Sequence, residues 1–339
     1  MKIAIHCKNQ GFCIRWVSYC KKNNIEYKLV DCCKNDIISQ LNDCDALMWQ
    51  PEQNNYQHVL FAKQLLFSIQ QSGKKVFPDF NTCWHFDDKV GQKYLLESIG
   101  APLVPSYVFY TKTEAMEWVK NTNFPKVFKL RGGAGSANVK LVKSAFNARK
   151  LIRKAFSTGF SPHNKIENLN ERIRKYKKGN DSKLNVFKAF VRLFVPANYS
   201  KMSSNEKGYI YFQDYIPNNS FDIRVIVIGE KAFAIKRIVR KNDFRASGSG
   251  NVVYNKENFP IDTIELSFLL SEKMKTQCIA YDFVYDVNGN ALVVEISYGF
   301  ATSVYDSCVG YWDKSLNFIE GSFIPQDWMV ELILKLKEN

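Results

Sequence analysis

Two carboxylates face each other in a predicted β-hairpin near the end of the chain. Two apolar strand-like runs flank the dipeptide Asn288-Gly289, and Asn-Gly is the preferred two-residue hairpin turn because both central residues take positive φ. This turn pairs Asp282 with Glu295 and places their Cβ atoms about 5 Å apart. Ser297 lies on the same face, two residues further along the strand.

Paired carboxylates on a largely apolar hairpin require a compensating group. A shared proton, a neighbouring Lys or Arg, or a divalent cation could supply it, and hard oxygen ligands suit Mg²⁺ or Mn²⁺, especially where phosphates complete the shell. A solvated face, on which water hydrates both acids, is the alternative. The pairing of Asp282 with Glu295 favours a metal site.

A glycine cluster is the second group that could do chemistry. Residues 132–135 follow a strand-like run and lie between Lys129 and Lys140. Such loops let backbone N–H groups approach phosphate oxygens without interference from Cβ atoms, although glycine loops also serve as plain turns. The cluster does not match the Walker P-loop pattern, which excludes that class of nucleotide site.

Cations form the third group. Asp222 and Arg224 alternate onto one face of a predicted strand. Five cations follow within reach of one hairpin: Lys236, Arg237, Arg240, Lys241 and Arg245. They predict phosphate clamps, with a charged sheet face as the alternative.

Taken in chain order, these groups resemble the ATP-grasp carboxylate–amine ligases, in the branch of glutathione synthetase-like and ribosomal-protein glutamate ligase-like enzymes. The resemblance covers about residues 87–297, and its specificity comes from the order of the motifs. They lie at 88–89, 100–105, 125–135, 213–216, 222–224, 243–245 and 282 with 295–297. The resemblance implies an α/β and α+β architecture, namely an ATP-grasp fold with an N-terminal Rossmann-like pre-ATP-grasp lobe.

The resemblance also implies a role for each matching residue. The ATP phosphates would be contacted by two lysines and covered by the glycine loop: Lys89, Lys129, Gly132, Gly133, Gly135 and Ser136. Adenine and ribose would be held by Asp214, Tyr215, Ile216 and Asp222. The catalytic cations would be Arg224, Lys236, Arg237 and Arg245, and the metal ligands would be Asp282, Glu295 and Ser297.

Two residues depart from the family pattern. The family usually has Asn where this chain has Ser297, so a metal ligand becomes a shorter hydroxyl and a second metal is expected to bind more weakly. The adenine-side motif has Asp214 where Glu is frequent, which is a milder change.

The implied activity is an ADP-forming ligase that uses ATP with Mg²⁺ or Mn²⁺. A substrate carboxylate attacks the γ-phosphate, and an amine then displaces phosphate from the acyl-phosphate to form an amide. Neither step requires a nucleophilic side chain. Family substrates suggest amino-acid or peptide modification, or synthesis of a surface-polysaccharide precursor.

The elements that must position these groups divide into three blocks. Residues 1–85 alternate strand-like and helix-like patterns and predict a parallel α/β lobe. Residues 86–207 form a central ATP-grasp subdomain with a basic insertion at 144–207. Residues 208–339 form the C-terminal ATP-grasp subdomain.

The formal charge of +14 belongs to one segment. Residues 140–207 contain seventeen Lys or Arg and four acids, which gives +13 and leaves +1 for the rest of the chain. This charge favours an anionic donor or acceptor substrate. Phosphotransfer to a small acceptor and a basic nucleic-acid-binding protein are the alternatives, the latter because aromatic residues are interleaved with the charges.

Composition sets the remaining expectations. Hydrophobic residues make up 46% and charged residues 24%, as in ordinary globular proteins. No window approaches eighteen uncharged apolar residues and the N-terminal apolar run is too short for a secretory signal, so we expect a cytoplasmic protein with no membrane partner. We therefore expect the nine cysteines to be reduced. A homo-oligomer remains open.

Overall fold

A computed structural model describes residues 1–8, 10–53, 55–132, 138–161, 169, 172–173, 176, 182–194, 205–240, 244–246, 248 and 250–336. These residues form three β-sheets with helices packed against them. The mixed α/β architecture of the structure agrees with the predicted fold class.

The N-terminal lobe is a four-stranded parallel sheet with strand order β2-β1-β3-β4. Its strands are β1 (Ile3–His6), β2 (Tyr27–Val30), β3 (Ala46–Met48) and β4 (Lys75–Phe77). Its helices are α1 (Phe12–Lys22), α2 (Ile37–Gln40), α3 (Tyr56–Gln71) and α4 (Phe80–Cys83). Strands β1 and β3 are buried along their whole length because helices cover both faces of a parallel sheet, whereas the edge strand β2 is partly exposed.

The central sheet is antiparallel, with order β5-β8-β6-β7. Its strands are β5 (Ser106–Phe109), β6 (Lys126–Lys129), β7 (Lys140–Val142) and β8 (Ile210–Asp214). The helices of this part are α5 (Lys89–Ser98), α6 (Lys112–Asn121), α7 (Ala145–Ala155) and α8 (Lys183–Phe194). Ser, Thr and Asp side chains cap the starts of three of them: Asp88 on α5, Thr111 on α6 and Ser144 on α7.

The large sheet is antiparallel, with order β13-β12-β9-β10-β14-β15, and β11 pairs with β10. Its strands are β9 (Phe221–Ile228), β10 (Lys231–Ile238), β11 (Val252–Val253), β12 (Cys278–Tyr285), β13 (Ala291–Ser297), β14 (Gly310–Asp313) and β15 (Phe318–Glu320). Two helices, α9 (Ile261–Met274) and α10 (Pro325–Lys335), and two single 3₁₀ turns, Lys256–Asn258 and Ser303–Tyr305, complete it.

The two faces of the large sheet belong to different cores. One face shares a core with the N-terminal lobe, where Phe12 and Trp16 of α1 join Ile226, Phe233 and Met329. The other face packs against α9 and α5 in a second core. Alternation along each strand therefore decides which side chains face the N-terminal lobe.

The hairpin of β12 and β13 pairs Asp282 with Glu295, as predicted, but its turn differs from the predicted one. Asp286 pairs with Asn290 around a three-residue loop, and only Gly289 of this loop takes positive φ. A β-bulge compensates for the extra loop residue: Phe283 pairs with Val293, and the register shifts between Phe283 and Asp282.

Strand β8 bears on the subdomain boundary. The sequence-based division at 207/208 puts Ile210–Asp214 with the C-terminal subdomain, whereas this strand pairs with β5 and β6 of the central sheet. We propose a boundary after Asp214 instead.

One expectation about the cysteines is wrong. Cys7 and Cys13 form a disulfide, because the short connection from β1 to α1 brings their Cα atoms to 5.3 Å. The other seven cysteines are free and mostly buried. Among the described residues, no helix is long and apolar enough to cross a membrane.

Candidate active site

A cavity of about 530 Å³ opens between the central sheet, the large sheet and the N-terminal lobe. Its size lies within the range of ligand pockets in proteins. The central sheet contributes the ends of β6 and β8, and the large sheet contributes the ends of β9, β12 and β13. The N-terminal lobe contributes a loop at residues 50–53.

A network of four charged side chains forms the floor of the cavity. Arg224 donates to both carboxylate oxygens of Asp282, with Nε–Oδ1 and Nη2–Oδ2 distances of 2.5 and 2.8 Å. Arg237 donates to both oxygens of Asp222 at 2.6 and 2.7 Å, and its Nη2 also lies 2.9 Å from Asp282 Oδ1. The ladder explains the grouping, because Arg224 pairs with Asp282 across β9 and β12, and Asp222 pairs with Arg237 across β9 and β10.

This network keeps Asp282 ionised. Burial alone would raise the pKa of its carboxyl, but the guanidinium groups of Arg224 and Arg237 outweigh burial and hold that pKa well below its usual range. The carboxylate is therefore charged at any physiological pH.

Two buried lysines face the floor from the central part of the chain. Lys89 is the first residue of α5, whose start is fixed by the Asp88 cap and by a backbone bond from Lys89 N–H to the Arg131 carbonyl. Its Nζ lies 3.2 Å from Glu295 Oε1. Burial lowers the pKa of Lys89, but Glu295 and other nearby carboxylates raise it further, and the net shift is upward.

Lys129, at the end of β6, has a different environment. Its Nζ donates to Gln213 Oε1 at 2.6 Å and lies 3.5 Å from the Val294 carbonyl oxygen. Gln213 Nε2 also donates to this carbonyl, at 3.3 Å. The pKa of Lys129 is lowered to about 8, because burial and the neighbouring Lys89 ammonium outweigh the opposing effect of the Glu295 and Asp282 carboxylates.

Another part of the cavity lining is apolar. It includes six valines: Val104, Val127, Val139, Val239, Val284 and Val294. Asp214, which ends β8, and the following Tyr215 and Ile216 also line the cavity. Asp214 is anchored by Lys126, whose Nζ lies 2.5 Å from Asp214 Oδ1.

Hydrogen bonds to other parts of the chain hold the N-terminal loop that closes the cavity. His58 Nδ1 accepts from the Glu52 backbone N–H at 3.0 Å, the Tyr298 hydroxyl donates to the Pro51 carbonyl at 2.9 Å, and Gln50 Oε1 accepts from the Phe12 backbone N–H at 2.7 Å. The loop thus lies at the carboxyl ends of the parallel strands, the usual ligand-binding edge of such sheets.

Two buried histidines predict an acid-sensitive fold. Burial lowers the pKa of His58 and of His85 to about 4, from 6.5 in an unfolded chain. The unfolded state therefore binds more protons below pH 6.5, and the free energy of unfolding falls as the pH drops from 6.5 to 4, by about 3 kcal/mol for each histidine. Urea denaturation at several pH values should show a fall about 3 kcal/mol smaller in His85→Phe than in the wild type; an identical fall would contradict this assignment.

Most of the residues singled out by the sequence meet at this cavity. Eleven of them line it: Lys89, Lys129, Asp214, Tyr215, Ile216, Asp222, Arg224, Arg245, Asp282, Glu295 and Ser297. Arg237 joins them through the network on the floor. The backbone N–H of Gly132 lies 3.4 Å from Glu206 Oε1, whereas Gly133, Gly135 and Ser136 lie outside the described residues.

The structure separates Lys236 from this group. Along β10 it alternates with Arg237, so it points to the α9 face of the sheet rather than to the cavity. Its Nζ binds Asn258 Oδ1 at 3.2 Å and lies 4.0 Å from the centre of the Phe221 ring. The position of Lys236 outside the cavity lining contradicts its predicted catalytic role.

Several lining groups carried no separate prediction. Gln213 was part of a quoted motif, but its contact with Lys129 depends on strand pairing between β6 and β8. Glu52 and Gln53 lie more than 200 residues from Glu295 in the chain and belong to no recognisable motif. The only signal that could have identified Glu52 and Gln53 as cavity residues is that their loop follows a strand of the predicted parallel sheet.

Asp282 and Glu295 are the side chains that would hold a divalent cation, and phosphate and water oxygens would complete its shell. Asp282 Oδ1 accepts from two guanidinium groups, so Oδ2 is its freer oxygen. Glu295 contributes the second carboxylate, partly exposed beside Lys89. The Ser297 hydroxyl is bonded to the backbone of Gly299 as donor at 3.0 Å and as acceptor at 3.2 Å, which makes it a poor third ligand.

Comparison with known proteins agrees with this geometry. Residues 191–310 match the RimK-like ATP-grasp domain, a range that includes the floor of the cavity but not Lys89 or Lys129. No curated protein sequence matches the chain.

Solved structures resemble the whole fold. A RimK domain ATP-grasp protein from Sphaerobacter thermophilus is 13% identical, covers 98% of this chain and 100% of its own, and has a TM-score of 0.58. D-cycloserine synthetase is 12% identical, covers 99% and 100%, and has a TM-score of 0.60. D-alanine–D-alanine ligase from Bacillus anthracis is 13% identical, covers 99% and 96%, and has a TM-score of 0.55. Residues 191–310 of this chain thus match the RimK-like ATP-grasp domain, and the chain as a whole shares its fold with these ATP-grasp structures.

Proposed function

We propose that the chain is an ATP- and Mg²⁺-dependent carboxylate–amine ligase of the acid–amino-acid type. The observation that carries the proposal is the convergence, in one cavity, of two buried lysines with the paired carboxylates Asp282 and Glu295 and an apolar part of the lining. The apolar part suits adenine, and the charged part suits the phosphates. Because the reaction consumes ATP, we place it in the cytoplasm.

The first step is phosphoryl transfer. An oxygen of the substrate carboxylate forms a bond to the γ-phosphorus, the bond to the bridging oxygen breaks, and ADP leaves. Lys89 and Lys129 stabilise the charge on the phosphate oxygens, because both ammonium groups are buried and already oriented. A divalent cation bound by Asp282 and Glu295 would neutralise further phosphate charge.

The second step forms the amide. The amine nitrogen attacks the acyl carbon, loses a proton and expels inorganic phosphate. The cavity lining contains six Asp or Glu and four Lys or Arg, so the basicity of the chain does not extend to it. Glu52, on the loop of the N-terminal lobe, is placed to attract a positively charged amine.

Nucleotide binding tests the proposal directly. We expect ATP with Mg²⁺ to stabilise the wild type by about 2.7 kcal/mol at a hundred times its Kd. Lys129→Met should weaken ATP binding by about 10- to 100-fold, because a charged hydrogen bond to phosphate is lost. Thermal shift measures the binding, and release of ADP in the presence of carboxylates and amines measures the reaction.

A matched control is Lys231→Met. Lys231 lies on β10, outside the cavity lining, and its Nζ donates a hydrogen bond to Glu331 of α10. It should bind ATP like the wild type. No shift with any nucleotide, or an equal shift in Lys129→Met, would contradict the proposal. ADP release that requires an acceptor but no amine would indicate phosphotransfer instead.

A further inference from the structure

Helix α8 exposes an apolar stripe that the proposed activity does not use. Leu184, Phe187 and Val191 are 59%, 63% and 39% exposed, and their spacing of three and four residues places them on one helical face. Leu184 and Phe187 precede the range that matches the RimK-like domain, and Val191 is its first residue.

Within the described part of the chain, no core covers this stripe. None of its three side chains belongs to any of the four hydrophobic cores. Large apolar side chains grouped on one exposed face mark a surface that binds something.

The charged residues of helix α8 are all basic. The helix sequence contains Lys183, Lys188 and Arg192 and no acid. Helix α7, in the same basic segment, likewise has no acid and exposes Phe146, 60% accessible, beneath the ammonium of Lys150 at 4.4 Å. A partner of this surface must be anionic and must also accept aliphatic and aromatic side chains.

We propose that α8 lies on an anionic lipid surface, with its apolar stripe in the acyl boundary and its lysines at the headgroups. A basic helix with an apolar face has the properties of an interfacial helix. A nucleic acid would accept the cations and Phe187, but it offers Leu184 and Val191 nothing to pack against. This proposal departs from the expectation of no membrane partner, which rested on the lack of a spanning segment in the sequence.

Vesicle flotation with the full chain tests the proposal. We expect binding to phosphatidylcholine vesicles that contain about 30% phosphatidylglycerol, little binding to pure phosphatidylcholine, and weaker binding as salt rises. Leu184→Ser with Phe187→Ser should weaken binding at least about tenfold. Lys183→Gln with Lys188→Gln should weaken it about fivefold for each charge removed.

The control is Val59→Ser with Leu60→Ser on α3, where the side chains are 55% and 59% exposed. This pair should bind vesicles like the wild type, and circular dichroism should show all variants folded. Equal binding to neutral vesicles, or equal binding by the α8 variants, would overturn the proposal. Tighter binding to a duplex DNA oligonucleotide that is insensitive to the apolar substitutions would assign the surface to nucleic acid.

Discussion

Asp282→Asn is expected to lower the free energy of unfolding by about 3–5 kcal/mol, because it removes the carboxylate from a buried network and leaves cationic partners uncompensated. Asp282 is 8% exposed, and its oxygens accept from both Arg224 and Arg237. Asparagine can accept one hydrogen bond in this position, but it carries no charge to balance two guanidinium groups. Urea denaturation followed by circular dichroism measures the change.

The control for this substitution is Glu230→Gln, on the exposed turn between β9 and β10. It should change the free energy of unfolding by less than about 0.5 kcal/mol. The double substitution Arg224→Met with Asp282→Leu should recover much of the loss, because an apolar pair replaces the ion pair without leaving a charge. A loss below about 1 kcal/mol in Asp282→Asn would show that the network is not structurally important.

Glu295→Gln is expected to reduce ADP formation by at least about 100-fold while leaving the fold intact. The substitution removes a carboxylate that fits the divalent cation and the charge partner of Lys89, both of which act on the phosphates. Its effect on stability should be much smaller than that of Asp282→Asn, because the Glu295 side chain is 29% exposed and the Asp87 and Glu206 carboxylates still act on Lys89. A coupled assay measures ADP release, and the paramagnetic resonance of Mn²⁺ with ATP measures metal binding.

An exposed lysine–glutamate pair provides the comparison. Glu97 binds Lys93 at 2.6 Å on the surface of α5, so Glu97→Gln removes the same charge from the same kind of pair outside the cavity. It should leave both ADP release and Mn²⁺ binding unchanged. Retention of activity within tenfold in Glu295→Gln would show that this carboxylate does not act on the phosphates.

The hairpin of β12 and β13 shows which structural features could be predicted from the sequence. Alternation and the Asn-Gly signal predict two paired strands, and Asp282 does lie opposite Glu295. The predicted turn is one residue too short, yet the bulge opposite Phe283 restores the pairing at the carboxylates. A bulge leaves little trace in composition and could not be predicted. The pairing of Asp282 with Glu295 was therefore predicted correctly from a two-residue turn, although the loop in the structure has three residues.

Other features depended on contacts between distant parts of the chain. Arg224 and Asp282 are 58 residues apart, and only the pairing of β9 with β12 shows that the arginine neutralises the carboxylate rather than a phosphate alone. The face of Lys236 is likewise decided by a single-residue alternation along β10. Local patterns can identify such residues as charged strand positions, but they cannot fix which face of a sheet becomes the cavity.

At the bulge, a backbone carbonyl oxygen rather than a side chain provides a hydrogen-bond acceptor in the cavity. The Val294 carbonyl oxygen lies 3.3 Å from Gln213 Nε2 and 3.5 Å from Lys129 Nζ, and it would remain whatever residue occupied position 294. An alanine at position 294 will therefore test only the apolar side chain and will leave this oxygen in place. Only a change in strand length, such as deletion of one residue from the hairpin, would withdraw the oxygen and reveal its contribution to the placement of Lys129.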